Sequence, residues 1–169
     1  MIDVEENKMI PKKISYGATI GIIAPCSMAD ERRYKRFIKG LEELGFKVKT
    51  GKNLYKTTYG YAASSEERLQ DLNEMIKDSE VNMILFGGGY GGNEFLNEID
   101  FDLFKHHPKI ICSYSSGTTL LTTIYLNSGL EVYYGQFPGV FDALTEYDRK
   151  QFINNFMNSD YNEFEKNSE

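Results

Sequence analysis

Short apolar runs alternate with longer amphipathic segments along most of this chain, and that alternation restricts the fold more than any other feature. Five runs have the length and composition of buried strands, at residues 18–24, 46–49, 81–86, 110–112 and 131–134. Segments with helical apolar spacing separate them, at residues 31–44, 64–76, 101–107 and 118–127. Such alternation predicts a parallel sheet covered on both faces. We therefore expect an α/β fold, a three-layer sandwich with a mostly parallel, doubly wound sheet.

The alternation weakens beyond Gly135, which sets the expected domain boundary. Residues 10–135 are predicted to form one α/β domain that carries the chemistry. Residues 136–169 are predicted to add a C-terminal helical segment, with a helix near residues 145–157, and a polar tail. A chain of 169 residues is long enough to bury a substantial core.

Composition excludes several classes of partner. The net charge of -6 argues against nucleic acid and anionic membranes, which both select for clusters of Lys and Arg. No apolar stretch is long enough to span a bilayer, and residues 1–8 are too polar for a secretory signal. Cys26 and Cys112 lack the spacing of metal ligands and are expected to be buried. A cytoplasmic location fits these observations.

Ser115 lies where a predicted strand turns into a predicted helix within four residues. A nucleophile elbow has this layout, and it needs small residues two positions before and after the serine. Ser113 and Gly117 occupy those positions. The start of the helix would add partial positive charge and free N–H groups beside the hydroxyl. A turn whose serines merely cap the helix is the alternative, which this stretch alone favours.

The glycine loop, residues 87–92, contains five glycines and follows the strand predicted at residues 81–86. Open α/β sheets bind ligands at the carboxyl ends of their strands. The loop lacks the context of the dinucleotide and P-loop motifs, so a phosphate cradle is weakly supported. An oxyanion hole built from unobstructed backbone N–H groups is a second use. A simple turn needs less backbone freedom than five glycines provide, which favours a functional interpretation.

His106 and His107 are the only histidines in the sequence. They precede the strand that leads to Ser115, so they are expected at the opposite end of the sheet from that serine. A general base must lie within hydrogen-bond reach of the hydroxyl it activates. Neither histidine is therefore a credible base, and interaction with the end of a helix explains them better.

Several segments in a fixed order resemble the N-terminal half of the LD-carboxypeptidase family, serine peptidases that include the microcin C immunity proteins. The matching segments are Gly21-Ile22-Ile23-Ala24-Pro25, residues 44–48, residues 65–73, Gly88-Gly89-Tyr90-Gly91 with Asn93, and the nucleophile region from Pro108 to Leu130. The resemblance covers about residues 10–135.

The resemblance implies an enzyme that cleaves the bond between an L- and a D-amino acid in murein tetrapeptides, or a related amide in peptide–nucleotide antibiotics. By the family pattern, Ser115 is the nucleophile, and the backbone N–H groups of Gly89 and Ser116 are the oxyanion donors. The small peptide substrate would contact Gly88, Tyr90 and Gly91. No metal or organic cofactor is implied.

The sequence departs from the family at three points. The aspartate after the nucleophile is Ser116 here, and the arginine commonly found before the glycine pair is Gly87. The glutamate and histidine that complete the family's triad belong to a C-terminal catalytic domain, which is absent from these residues. A serine without its base loses most of its reactivity, so we expect this chain to be inactive or nearly so alone.

Two kinds of partner are expected: a second copy of this chain in a homo-oligomer, through a surface left exposed where the family's second domain would pack, or a separate chain that supplies the glutamate and histidine. A different class of function also stays open. The chain would then be a non-catalytic ligand-binding or oligomerising remnant that uses the glycine loop.

Overall fold

The computed structural model of the protein describes residues 8–135, 138–158 and 166. Its sheet contains β1 (Thr19–Ile23), β2 (Lys47–Thr50), β3 (Val81–Phe86), β4 (Ile110–Ser113) and β5 (Tyr133–Tyr134). All pairings in the sheet are parallel, in the order β2-β1-β3-β4-β5. The predicted strands are confirmed. The largest difference is at β5, which begins at Tyr133 rather than at residue 131.

The helices are α1 (Glu31–Glu43), α2 (Ser65–Lys77), α3 (Asp102–His106), α4 (Gly117–Ser128) and α5 (Glu146–Phe156). Short 3₁₀ turns occupy Leu96–Glu98 and Pro138–Asp142. The predicted capping box is present at α2, where Ser64 and Glu67 exchange hydrogen bonds. Helix α4 ends at Gly129, whose φ of +76° is a left-handed conformation that suits glycine. None of the described helices is both long and apolar enough to span a bilayer.

Alternate side chains of the central strands enter two separate cores, which makes the fold three-layered. On one face, strand residues such as Ile20 and Met83 pack with Leu41 of α1 and Phe152 of α5. On the other face, the strands pack with residues from α2, α3 and α4, among them Ile76, Phe104 and Leu120. The three-layer α/β fold expected from the sequence is therefore confirmed.

The strand order places three loops together at one end of the sheet. Strand β1 has β2 on one side and β3 on the other, so the chain reverses its direction of travel across the sheet there. The crevice at the carboxyl ends of such strands is where open α/β sheets bind ligands. The loops after β1, β3 and β4 meet at this crevice, and the last two contain the glycine loop and Ser115.

Helix α5 packs onto the same core as α1. The Phe152 side chain is 1% exposed, and its ring centroid lies 5.7 Å from that of Phe46, 5.3 Å from Phe141 and 5.2 Å from Phe156. The residues around α5 thus contribute buried aromatic contacts to the layer that covers β1. The polar tail predicted at the C-terminus lies almost entirely outside the described residues.

Because α5 packs against this core, a substitution in α5 tests whether the fold of residues 10–135 depends on that helix. We expect Phe152→Ala to lower the free energy of unfolding by about 3–5 kcal/mol, because it opens a cavity among three aromatic rings. Urea unfolding followed by circular dichroism measures the change. Arg149→Ala on the exposed face of α5 is the matched control and should be near neutral. An equally small effect of both substitutions would show that the fold of residues 10–135 does not depend on α5.

Candidate active site

Ser115 lies at a sharp corner between β4 and α4. Its φ is +56°, and it is the one non-glycine residue with positive φ in the described part of the chain. L-amino acids avoid this region, and a residue held there carries strain on the order of 1–3 kcal/mol. Such strain persists only where the surrounding structure enforces it. The corner is therefore held in place by its neighbours rather than by local preference.

The residues two positions on either side of Ser115 pack against each other. Ser113 is fully buried, and its hydroxyl donates a hydrogen bond of 2.8 Å to the Phe86 carbonyl. A Cβ on Gly117 would lie 2.1 Å from the Ser113 Oγ and 3.0 Å from the Phe86 ring. No room exists there for larger side chains, which is the steric requirement of a nucleophile elbow.

The serines of the corner do not cap α4. Ser116 occupies the N-cap position, but its side chain makes no capping hydrogen bond to the helix. The Thr118 hydroxyl instead donates to the Ser115 carbonyl at 2.6 Å. The capping interpretation of this stretch is thus wrong, and the elbow interpretation agrees with the geometry.

The glycine loop approaches the corner closely at Gly88. A Cβ on Gly88 would lie 2.6 Å from the Ser115 Cβ and 3.2 Å from its Oγ. Only glycine allows backbone to come this near to the serine. The loop is also tied to the segment after β1, because the N–H groups of Tyr90 and Gly91 both donate to the Cys26 carbonyl, at 3.1 Å and 2.9 Å.

The two backbone N–H groups that the family resemblance assigns as oxyanion donors, those of Gly89 and Ser116, differ in whether they are already hydrogen-bonded. The Gly89 N–H donates to the Ser116 Oγ at 2.7 Å. No described residue accepts a hydrogen bond from the N–H of Ser116 or of Gly88. Of the glycine amides nearest the serine, that of Gly88 is therefore open, and that of Gly89 is occupied by a side chain.

Cys26 lies next to the glycine loop, at Gly92, and does not supply a nucleophile. Its thiol is fully buried beside Gly92. Burial raises the pKa of the Cys26 thiol to about 11, although a hydrogen bond with the Ser116 side chain opposes the increase. The thiol therefore stays protonated at neutral pH, and reactivity depends on the thiolate.

A buried arginine supports the glycine loop from behind. The Arg68 side chain is 2% exposed and donates to the carbonyls of Pro25 at 2.8 Å and Ser64 at 3.3 Å. It also pairs with Glu94 at 3.3 Å, and its guanidinium lies 5.3 Å from the centroid of the Phe95 ring. One cation thus connects the loop after β1, the start of α2 and the end of the glycine loop.

Glu94 connects Arg68 to the backbone of the glycine loop. One carboxylate oxygen accepts from the Gly92 N–H at 2.8 Å, and the other accepts from the Tyr61 hydroxyl at 2.7 Å. Desolvation raises the pKa of Glu94, but the Tyr61 and backbone hydrogen bonds and the charge of Arg68 outweigh it and lower the pKa to about 2. Glu94 is therefore ionised throughout the neutral and mildly acidic range.

Sequence reasoning did not assign a role to Arg68. The available signal was its position on α2, because Arg68 precedes Leu72 by four residues and shares the apolar stripe with Ile76. A charged residue on the buried stripe of a helix needs partners, since an unpaired buried charge is strongly unfavourable. The sequence indicates that Arg68 needs partners, but it does not identify the Pro25 carbonyl and Glu94 as those partners.

No general base reaches Ser115 from the described residues. The Ser115 hydroxyl makes no hydrogen bond to any of them, and its N–H donates to the Tyr134 hydroxyl at 3.5 Å. His106 Nδ1 lies 2.7 Å from the Asp102 carbonyl, at the end of α3, and His107 follows it ahead of β4. Both histidines are at the far end of the strand from Ser115, as expected. In the described ranges, no group of three or more His, Cys, Asp or Glu residues could hold a metal ion.

The packing at the corner leads to a prediction for Gly117. Alanine in place of glycine within a helix normally stabilises a protein by up to about 1 kcal/mol. We expect Gly117→Ala instead to lower the free energy of unfolding by about 1–3 kcal/mol, because its Cβ would collide with Ser113 and Phe86. Chemical denaturation measures the sign. Thr122→Ala on the exposed side of α4 is the control and should be neutral or stabilising. A stabilising Gly117→Ala would contradict the tight corner.

The low pKa of Glu94 makes a pH-dependent prediction. A carboxylate whose pKa falls from 4.5 in the unfolded chain to about 2 in the fold contributes stability above pH 4.5, and this is lost as the pH falls toward 2. We therefore expect Glu94→Gln to be less stable than the parent at neutral pH, by an amount that shrinks below pH 4.5. Urea unfolding over this range measures the difference. A constant difference at every pH would rule out the charged pairing.

Comparison with known proteins finds that the chain is similar to peptidases of one family. Residues 20–135 match the LD-carboxypeptidase N-terminal domain. The chain is 44% identical over 127 residues to a probable murein peptide carboxypeptidase of Bacillus subtilis, covering 74% of this chain and 40% of that protein. It is 32% identical over 136 residues to the microcin C7 self-immunity protein MccF of Escherichia coli, covering 78% of this chain and 40% of MccF. The chain thus spans about 40% of the length of these curated relatives.

Solved structures agree with the sequence relatives. An MccF-like protein from Bacillus anthracis superposes with a TM-score of 0.80 and 32% identity, over 86% of this chain and 46% of that one. Wild-type MccF in its apo state superposes with a TM-score of 0.79 and 28% identity, over 86% and 45% of the two chains. The described fold is therefore found in known structures whose chains are about twice as long.

Proposed function

Because the chain belongs to the LD-carboxypeptidase family, we propose that it carries the nucleophile half of a serine hydrolase that cleaves a peptide amide. The observation that supports this proposal most is the strained conformation of Ser115, at φ +56°, directly against the backbone of Gly88. A serine that only caps a helix or packs in a turn has no need of this arrangement. Exposure of the hydroxyl at such a corner is what nucleophilic attack requires.

In the proposed reaction, the Ser115 Oγ attacks the carbonyl carbon of the scissile amide, and negative charge develops on the carbonyl oxygen. The open N–H groups of Ser116 and Gly88 are the donors we assign to that oxygen, assisted by the start of α4. Gly89 can join them only when the Ser116 hydroxyl turns away, since its N–H donates to that hydroxyl. Gly89 therefore holds the loop in place in the state described.

The proton of Ser115 needs an acceptor that the described residues do not provide. We propose that a glutamate and a histidine reach Ser115 from another segment or from a separate polypeptide. The 169 residues alone should then show little turnover. Loss of the base of a triad lowers kcat by about 10⁴- to 10⁶-fold, because its members act as a unit.

The proposed substrate is a small peptide with an amide between an L- and a D-residue, such as a murein tetrapeptide, or a related amide. The names of the Bacillus subtilis and Escherichia coli relatives support this class. We propose that Tyr90, which is 92% exposed, contacts such a peptide beside Gly88. Gly91, which the resemblance also assigns to the substrate, is buried against Arg68 and Glu94. Under this proposal the reaction is cytoplasmic and involves neither nucleic acid nor membrane.

Release of D-alanine from a murein tetrapeptide tests the proposal. We expect the 169-residue chain alone to release it at the rate of its Ser115→Ala variant, because no described residue provides a base for Ser115. Addition of the C-terminal half of the Bacillus subtilis relative, the part that this chain does not match, should restore release by the parent but not by Ser115→Ala.

Two outcomes would contradict the proposal. Serine-dependent release by the chain alone would show that a base exists within it. A stable complex of the two halves that gives no release, and no labelling of Ser115 by a fluorophosphonate, would favour the non-catalytic binding module instead.

A further inference from the structure

A polar cavity lies beside the Ser115 corner, between α1 and the glycine loop. It encloses about 180 Å³, and the lining residues that matter here are Ser27, Asp30, Arg33, Tyr34, Gly88 and Tyr114. Gly88 connects the cavity to the serine, because a Cβ there would lie 3.2 Å from the Ser115 Oγ. A ligand in this cavity would therefore sit next to the proposed nucleophile.

Arg33 is an exposed cation in the cavity lining that makes no ion pair with a described acid, although its charge contributes to the lowered pKa of Asp142. Its guanidinium makes no ion pair or hydrogen bond with the described residues and lies 5.8 Å from the centroid of the Phe37 ring. Asp30 also lines the cavity, but its carboxylate accepts from the Arg33 backbone N–H at 2.8 Å as the cap of α1. By contrast, Arg36 on the same helix pairs with Asp142 at 2.7 Å.

The Tyr34 hydroxyl adds a second donor to the same space. It makes no hydrogen bond to any residue that the structure describes, and it lies 3.4 Å from where a Cβ on Gly87 would be. Burial raises the pKa of Tyr34 to about 12, so the hydroxyl keeps its proton. The glycine at position 87 leaves room in front of this hydroxyl, beside the Tyr114 ring, whose Cε1 lies 4.0 Å from the same Cβ position.

We propose that Arg33 and the Tyr34 hydroxyl bind the terminal α-carboxylate of a peptide whose last amide faces Ser115. This assignment rests on the proposed hydrolase function and adds the group that selects the substrate. A guanidinium presents two parallel donors that match a carboxylate, which makes arginine well suited to such recognition.

The size and place of the cavity agree with this ligand. Pockets for drug-sized ligands measure about 300–1,000 Å³, so a smaller cavity suits a single small residue. In the last residue of a peptide, one tetrahedral carbon separates the carboxylate from the scissile nitrogen. A carboxylate site must therefore adjoin the nucleophile, and this cavity does so through Gly88. The site would restrict cleavage to the final amide of a free-acid peptide.

Binding to the intact 169-residue chain tests the assignment without any need for turnover. Isothermal titration with a murein tetrapeptide that ends in D-alanine, and with the same peptide ending in a carboxamide, compares the two termini. We expect the free acid to bind at least about tenfold more tightly. Arg33→Gln should remove that preference, and Tyr34→Phe should reduce it. Arg32→Gln, at the neighbouring position that does not line the cavity, should keep it. Circular dichroism verifies that each variant is folded.

Equal binding of the two peptides, no binding of the free acid, or a preference that survives Arg33→Gln would each overturn the assignment. These results are separable from failure of the hydrolase proposal. Serine-dependent release of D-alanine after addition of the C-terminal half of the Bacillus subtilis relative, without a preference for the free acid, would remove only the Arg33 site. A preference for the free acid, with no release even after that addition, would keep the carboxylate site and remove the hydrolase.

Discussion

The close approach of Gly88 to Ser115 is the constraint on which the rest of the site depends. Backbone and serine come within a distance that excludes even a methyl group at position 88. Strands β3 and β4 are neighbours in the sheet, so the loops that follow them must share the same space. The two loops fit together because position 88 is glycine and because Ser115 adopts a left-handed backbone conformation. The result is a hydroxyl presented beside open backbone N–H groups.

A loop so rich in glycine would be loose without support, because glycine loses more conformational freedom on folding than any other residue. The support comes from charge. Arg68 is buried with its hydrogen bonds satisfied by two carbonyls and Glu94, and Glu94 in turn holds the Gly92 N–H. Buried ion pairs often add little net stability, but they can fix one arrangement among several. We infer that this pair has that role in the glycine loop.

Features set by local sequence were predictable. The buried strands follow from runs such as residues 81–86, and the start of α2 follows from the spacing of Ser64 and Glu67. The small residues on either side of Ser115 indicated a possible corner, although that stretch alone favoured a turn whose serines cap the helix. Contacts between distant segments were not predictable. The bond from the Gly89 N–H to the Ser116 hydroxyl and the partners of Arg68 both depend on how separate loops meet, and no single segment encodes that.

The strain at Ser115 is the central physical claim, and comparing Ser115→Gly with Ser115→Ala measures it most directly. Both variants remove the hydroxyl, but only glycine adopts a φ near +56° without steric penalty. If the corner is as described, Ser115→Gly will have a higher free energy of unfolding than Ser115→Ala, by about 1 kcal/mol. At an ordinary position glycine is the less stable of the two. An alanine variant at least as stable as the glycine variant would contradict the account.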